Sequence, residues 1–102
     1  MSDVFDALAH PVRRKILRLL RKGAMSAGDL AAEFDLAKPT LSGHFTVLKS
    51  ADLITSERRG TTILYRLNMS VLEEAMAALM SIASAGEDEK KRGTDKWVPV
   101  RR

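Results

Sequence analysis

Lys38-Pro39-Thr40-Leu41-Ser42-Gly43-His44-Phe45-Thr46-Val47-Leu48-Lys49-Ser50 is the stretch whose reading decides the fold. Leu41, Phe45 and Leu48 recur at i, i+4 and i+7, which places them on one face of an α-helix. Pro39 suits the first turn of such a helix, where its missing N–H would have no intrahelical partner. The outer face presents Lys38, Thr40, Ser42, Gly43, Thr46 and Lys49, and no acid occurs from Leu36 to Ala51. Small polar and cationic groups on an acid-free face fit a helix that enters the DNA major groove. The same pattern also fits a plain solvated face, so its neighbours have to decide.

Upstream, Ser26 is a candidate N-cap for a helix over Ala27–Phe34, with Asp29 three residues later and Leu30 and Phe34 facing inward. Asp35-Leu36-Ala37 leaves only a tight turn between the two helices. Before them, Pro11 opens a helix continuing over Val12–Lys22, with Val12, Ile16, Leu19 and Leu20 apolar and Gly23 as its stop. Val4, Phe5 and Leu8 share a face of a short first helix, Asp3–Ala9. Downstream, the period changes after Asp52, a residue that tolerates a left-handed turn. Leu53–Arg58 and Thr62–Leu67 read as two strands flanking Arg59-Gly60-Thr61, with Arg58 and Arg59 at the hairpin tip. Met69–Ala85 returns to a helical pattern, with Leu72, Ala75, Met76, Leu79, Ile82 and Ala83 along one side.

The expected class is mostly α with a two-stranded β-hairpin wing: a winged helix-turn-helix of order helix-helix-helix-helix-strand-strand-helix. Residues 1–85 form its expected domain. Residues 86–102, of which 10 of 17 are charged, read as a tail around the small apolar cluster Trp97-Val98-Pro99-Val100.

Composition supports this frame without proving it. A chain of 102 residues suits one domain. The net charge of +4 suits an anionic partner. The absence of cysteine removes disulfides, thiolate metal sites and thiol switches. No apolar run approaches the roughly 20 residues of a bilayer span. The first residues lack a basic region followed by an apolar stretch, so a cytoplasmic location is expected. There is no Gly-rich phosphate loop and no thiol nucleophile. Ser42 and His44 lie two apart on one helix, which keeps their side chains from meeting. No catalytic site is expected.

At this point the chain resembles a known family. His10-Pro11-Val12-Arg13-Arg14-Lys15-Ile16-Leu17 is similar to the opening motif of ArsR-type winged-helix repressors. Leu36 to Ile54 resembles their recognition segment, with His44 matching the recognition-helix histidine. Arg58-Arg59-Gly60 followed by Ile63 to Leu67 resembles their wing. The three motifs fall in the family's order and span roughly residues 3–83. Within the family the chain resembles the metal-free autorepressor branch. The resemblance implies a homodimeric repressor acting on an imperfect inverted repeat in double-stranded DNA near its own gene. It also implies first and last helices packed between subunits.

The DNA contacts expected are Lys38, Thr40, Ser42, Gly43, His44, Thr46, Arg58 and Arg59. The dimer contacts expected are Val4, Phe5, Leu8, Leu72, Met76, Leu79, Met80 and Ile82, an apolar surplus that so small a domain has trouble burying by itself. The chain also departs from the family. It lacks the cysteines of one metal site, and its last helix carries only Glu73 and Glu74 where another site would be, so no metal or other cofactor is expected. Ala37 stands where the recognition helix usually has a Ser or Thr cap, and Gly43 where a base-reading side chain is common. The residues name no effector. An interaction module that binds protein through Met76, Met80 and Trp97 remains the alternative.

Overall fold

The computed structural model describes residues 2–91, with side chains for residues 3–84. Trp97 and most of the expected tail lie outside the described residues. The chain begins with α1 (Ser2–Leu8) and α2 (Pro11–Leu20), and the sequence between and just after them builds the corner. His10 is the N-cap of α2, its Nδ1 accepting the Val12 N–H at 3.1 Å. Arg13 and Arg14 reach back to the last carbonyls of α1. Arg13 Nε donates to Ala7 O at 2.8 Å and its Nη2 to Asp6 O at 3.1 Å, while Arg14 Nη1 donates to Leu8 O at 2.8 Å. Two cations thus close the negative end of α1.

A short strand, β1 (Met25–Ser26), leads into α3 (Ala27–Ala31). Ser26 is the cap expected of it: its Oγ accepts the Asp29 N–H at 3.0 Å. The helix stops at Ala31, three residues before the expected Phe34. Glu33 and Phe34 instead donate to Leu30 O and Ala31 O, the i to i−3 bonds of a tighter turn. Phe34 keeps an inward role all the same, packing against the core with the Lys15 ammonium 4.7 Å from its ring centroid.

α4 spans Lys38–Ser50, as expected from its stripe. Ala37 caps it with no side-chain bond. Its C-terminus closes through Leu53 N–H to Leu48 O at 3.0 Å and Asp52 N–H to Lys49 O at 2.9 Å, with Asp52 at φ 60°. This is the paired-bond stop in which a left-handed residue follows the helix and an apolar residue packs back. Here Leu53 and Leu48 are both fully buried. Leu53 therefore belongs to the helix stop, and the next strand starts one residue later than expected.

The strands β2 (Ile54–Arg59) and β3 (Thr62–Leu67) form the hairpin, joined by Gly60-Thr61 with Gly60 at φ 63°. The two-stranded wing is as expected, and one further strand joins its sheet. β1 pairs with β3 through Met25↔Tyr65 and Ser26↔Leu64, giving a three-stranded antiparallel sheet in the order β1-β3-β2. Two residues carry no readable period, so β1 has no sequence signature of its own.

The last helix, α5, runs Met69–Lys91, past the composition break at residue 86. Ile16, Leu17, Leu20, Leu30, Leu41, Phe45, Leu48, Leu53, Ile54 and Tyr65 make up most of the core. Val4 belongs there too. It is 7% exposed, which corrects its expected place on a surface between subunits: the short α1 directs Val4 and Ala7 into its own domain. Phe5, Leu8 and Leu72 are half-buried against that core.

Candidate nucleic-acid interface

The outer face of α4 is as the sequence implies. Lys38, Thr40, Ser42, Gly43, Thr46 and Lys49 are exposed, and His44 is half-buried at its margin. Thr46 Oγ1 donates to Ser42 O at 3.1 Å, so its hydroxyl is held along the helix and keeps its acceptor capacity outward. A side chain at Gly43 would meet nothing within 4 Å. That glycine is not required by internal packing and leaves the helix backbone bare on this face.

The wing is fixed to this helix by an aromatic contact. Phe45 of α4 stacks on Tyr65 of β3 with ring centroids 4.6 Å apart and planes 29° apart. Burial raises the Tyr65 phenol above its ordinary pKa of 10.0.

The strand register then separates two arginines that the sequence treats alike. Residues directly opposite in an antiparallel pair share a face. Arg58 pairs with Ile63, and Ser56 with Tyr65, so Arg58 emerges on the Tyr65 side, the side that meets α4. Arg59 pairs with Thr62 on the outward side, where it meets Glu57. Arg59 Nε donates to Glu57 Oε2 at 3.0 Å, and Arg66 Nη2 lies 3.9 Å from Glu57 Oε1. Arg58 has no ion pair among the described residues. The sequence reading missed Glu57, although period-2 alternation places residues 57 and 59 on one face of a strand.

The two histidines come together. Their ring centroids lie 4.5 Å apart, and Arg13 Nη1 contacts His44 Nδ1 at 3.2 Å. His44 is held below its ordinary pKa of 6.5, first by burial and then by the neighbouring His10 and Arg13. No group of three or more His, Cys, Asp or Glu side chains gathers here or elsewhere among the described residues.

Away from this face, α5 carries a second surface. Met76 is 56% exposed, Leu79 53%, Met80 64% and Ile82 70%. Only Ala75 of its described side chains is fully buried. Leu8 and Leu72 line one shallow depression near the root of α5. The expected interface residues thus divide into an exposed helical set, a half-buried rim and Val4 in the core. No described helix is long and apolar enough to cross a membrane.

A tight two-helix unit with an acid-free outer helix, locked to a hairpin whose tip arginine rises on the same side, defines a winged-helix DNA-binding protein. A helix-turn-helix domain family matches residues 8–57. The chain is 40% identical to the transcriptional repressor SdpR of Bacillus subtilis (strain 168), over 87% of its own length and 99% of that protein's. It is 36% identical to a biofilm growth-associated repressor of Agrobacterium fabrum (strain C58), over 86% and 75% of the two chains. The crystal structure of an ArsR family transcriptional regulator superposes with TM-score 0.79 at 27% identity, covering 84% of this chain and 89% of that one. The homodimeric winged helix-turn-helix DNA-binding domain of a possible ArsR-family regulator from Mycobacterium bovis superposes with TM-score 0.66 at 29% identity, covering 87% and 82%. The chain belongs to the ArsR-type winged helix-turn-helix transcriptional repressors.

Proposed function

We propose that this repressor acts as a homodimer on an imperfect inverted repeat, with its own promoter among its targets. The observation that carries the reading is the pairing of two exposed surfaces of opposite character. The α4 face, with Arg58 beside it, is polar, cationic and free of acids. The α5 face is apolar, and no other described residue covers it. Water penalises the second surface unless another apolar surface meets it, and a two-fold partner supplies the same surface. Such a dimer presents two copies of α4 to successive major grooves, roughly 34 Å apart.

Lys38, at the first turn of α4, is exposed and placed to reach a base edge, and Thr40, Ser42 and Thr46 supply hydroxyls for phosphates or bases. Arg58 follows the flanking phosphates or minor groove, and Arg59 contributes less because Glu57 holds it. The metal-free character of the expected branch rests on the donor set: no thiol in the chain, and Glu73 and Glu74 adjacent on α5, where they point apart.

Fluorescence-anisotropy titration of the upstream DNA of its own gene, in competition with unrelated DNA at two salt concentrations, tests the reading. Tight binding that survives competitor is expected. Lys38→Ala is expected to weaken it about tenfold; preference relaxed at one position marks base reading, and a uniform loss with a shallower salt slope marks a phosphate contact. Absence of binding at low salt would overturn the reading in favour of a protein-interaction module.

A further inference from the structure

We propose that Arg13 is a positioning residue for DNA recognition: it fixes His44 of α4 in one tautomer, leaving the Nε2–H as a directed donor to an acceptor on the DNA. This rests on the reading that α4 faces DNA. A guanidinium has donors only and is never deprotonated in proteins, so the His44 Nδ1 that Arg13 Nη1 contacts at 3.2 Å must present a lone pair. In a neutral ring the proton is then on Nε2. Nε2 has no protein partner among the described residues, and no buried side-chain nitrogen or oxygen among them is left unpaired, so this edge of the ring is open to solvent.

Arg13 can set an orientation because it is itself immobilised. Its Nε and Nη2 are bound to the last carbonyls of α1, at 2.8 and 3.1 Å. One guanidinium therefore ties the end of α1, the start of α2 and the middle of α4 together. His10 lies against the His44 ring, with centroids 4.5 Å apart, and is fixed in turn, since its own Nδ1 accepts the Val12 N–H. His10 and Arg13 from α2 are the titratable and charged groups facing His44. From α1 the contribution is main-chain carbonyls, with the Asp6 side chain exposed. Within α4 the nearest ionisable residues are Lys38 and Lys49. A second positive charge on His44 is opposed by this setting, and the lowered pKa agrees with a neutral ring at neutral pH. The contact with DNA is then a hydrogen bond of defined polarity and direction, which discriminates geometry in a way that a mobile charge does not.

Two readouts test this. Long-range 1H–15N correlation spectra of the full-length protein without DNA should show a single His44 tautomer at pH 7.5, with Nδ1 unprotonated and Nε2 protonated. The spectrum should average between tautomers in Arg13→Ala. DNA titrations of Arg13→Ala, His44→Ala and the double variant should give losses of about tenfold for each single change, and no further loss in the double. Because Arg13 also closes α1, its alanine variant can lose stability. His44→Asn keeps an acceptor near the Nδ1 position while removing the outward donor, so it should fold normally and bind as weakly as His44→Ala. A mixed or Nδ1-protonated tautomer in the wild type, or fully additive losses, overturns the proposal. Loss of binding in Lys38→Ala with none in His44→Ala overturns this inference alone. No loss in either variant overturns the DNA-facing reading of α4.

Discussion

α4 and α5 are both rich in apolar residues, yet the fold uses them in opposite ways. α4 turns Leu41, Phe45 and Leu48 into the core and leaves a hydroxyl-rich cationic face outside. α5 buries Ala75 and leaves Met76, Leu79, Met80 and Ile82 in water. Apolar content therefore locates a helix but does not say what covers it. An inward stripe backed by the chain's own elements is structural, whereas an apolar face that no described residue backs is the surface on which the proposed dimer rests.

The largest expected effects come from a core truncation in α4 and a pair of charges placed on α5. Leu48→Ala empties a fully buried site and should cost about 2–5 kcal/mol, read from denaturant unfolding. Leu79→Glu with Ile82→Glu should leave the unfolding of the isolated subunit nearly unchanged. It should raise the dimer dissociation constant ~100-fold or more, because two carboxylates would be trapped in an apolar contact. Sedimentation equilibrium reads that change, and a dimer of unaltered affinity would remove α5 from the interface.

The next contrast lies within the wing. Arg58→Ala should weaken DNA binding about tenfold, and Arg59→Ala several-fold less, since Arg58 shares the α4 side while Arg59 is engaged by Glu57. Equal losses in anisotropy titrations would mean that the tip approaches DNA edge-on and the strand register does not matter.

Smaller effects separate the two helix starts. Ser26 caps α3, whereas Ala37 offers α4 nothing. Ala37→Ser should stabilise the fold by about 1 kcal/mol, and Ser26→Ala should cost a similar amount. Thermal melts of the two variants check both signs.

The smallest expected effect is a dependence on pH. The folded-state pKa of His44 is lowered, so below 6.5 the unfolded chain binds a proton that the folded chain resists. This group's share of stability is complete above its ordinary pKa of 6.5. It declines as pH falls from there toward the lowered folded value. Melting temperatures at pH 7.5 and 5.5 should differ less in His44→Asn than in the wild type; an equal difference would assign the pH dependence to other groups.

Much of this was legible along the chain because it depends on local rules. The 3.6-residue stripe of Leu41, Phe45 and Leu48 defined α4, and Ser26 and Pro11 marked helix starts. Asp52 tolerated the left-handed stop, and alternation around Arg59-Gly60-Thr61 gave the hairpin. The α4 half of the proposed interface follows from the same stripe, since the outward residues are whatever the core does not take. Phe34 shows the limit: an apolar residue at i+4 suggested more helix, while the turn after Ala31 delivers it to the core without one.

What only the tertiary structure decided are relations between residues far apart in the chain. β1 exists because Met25 and Ser26 lie against β3, and two residues have no period to announce it. Val4 is core because the short α1 docks on its own domain. Arg58 and Arg59 differ because register assigns them to opposite faces, which composition at a hairpin tip cannot express. His10, Arg13 and His44 meet because α1, α2 and α4 converge, 31 residues separating the arginine from the histidine it contacts. Local sequence sets the period, caps and turns, since these rest on neighbours a few bonds away. Which side chains then share a surface is set by packing, where separation along the chain has no bearing on distance.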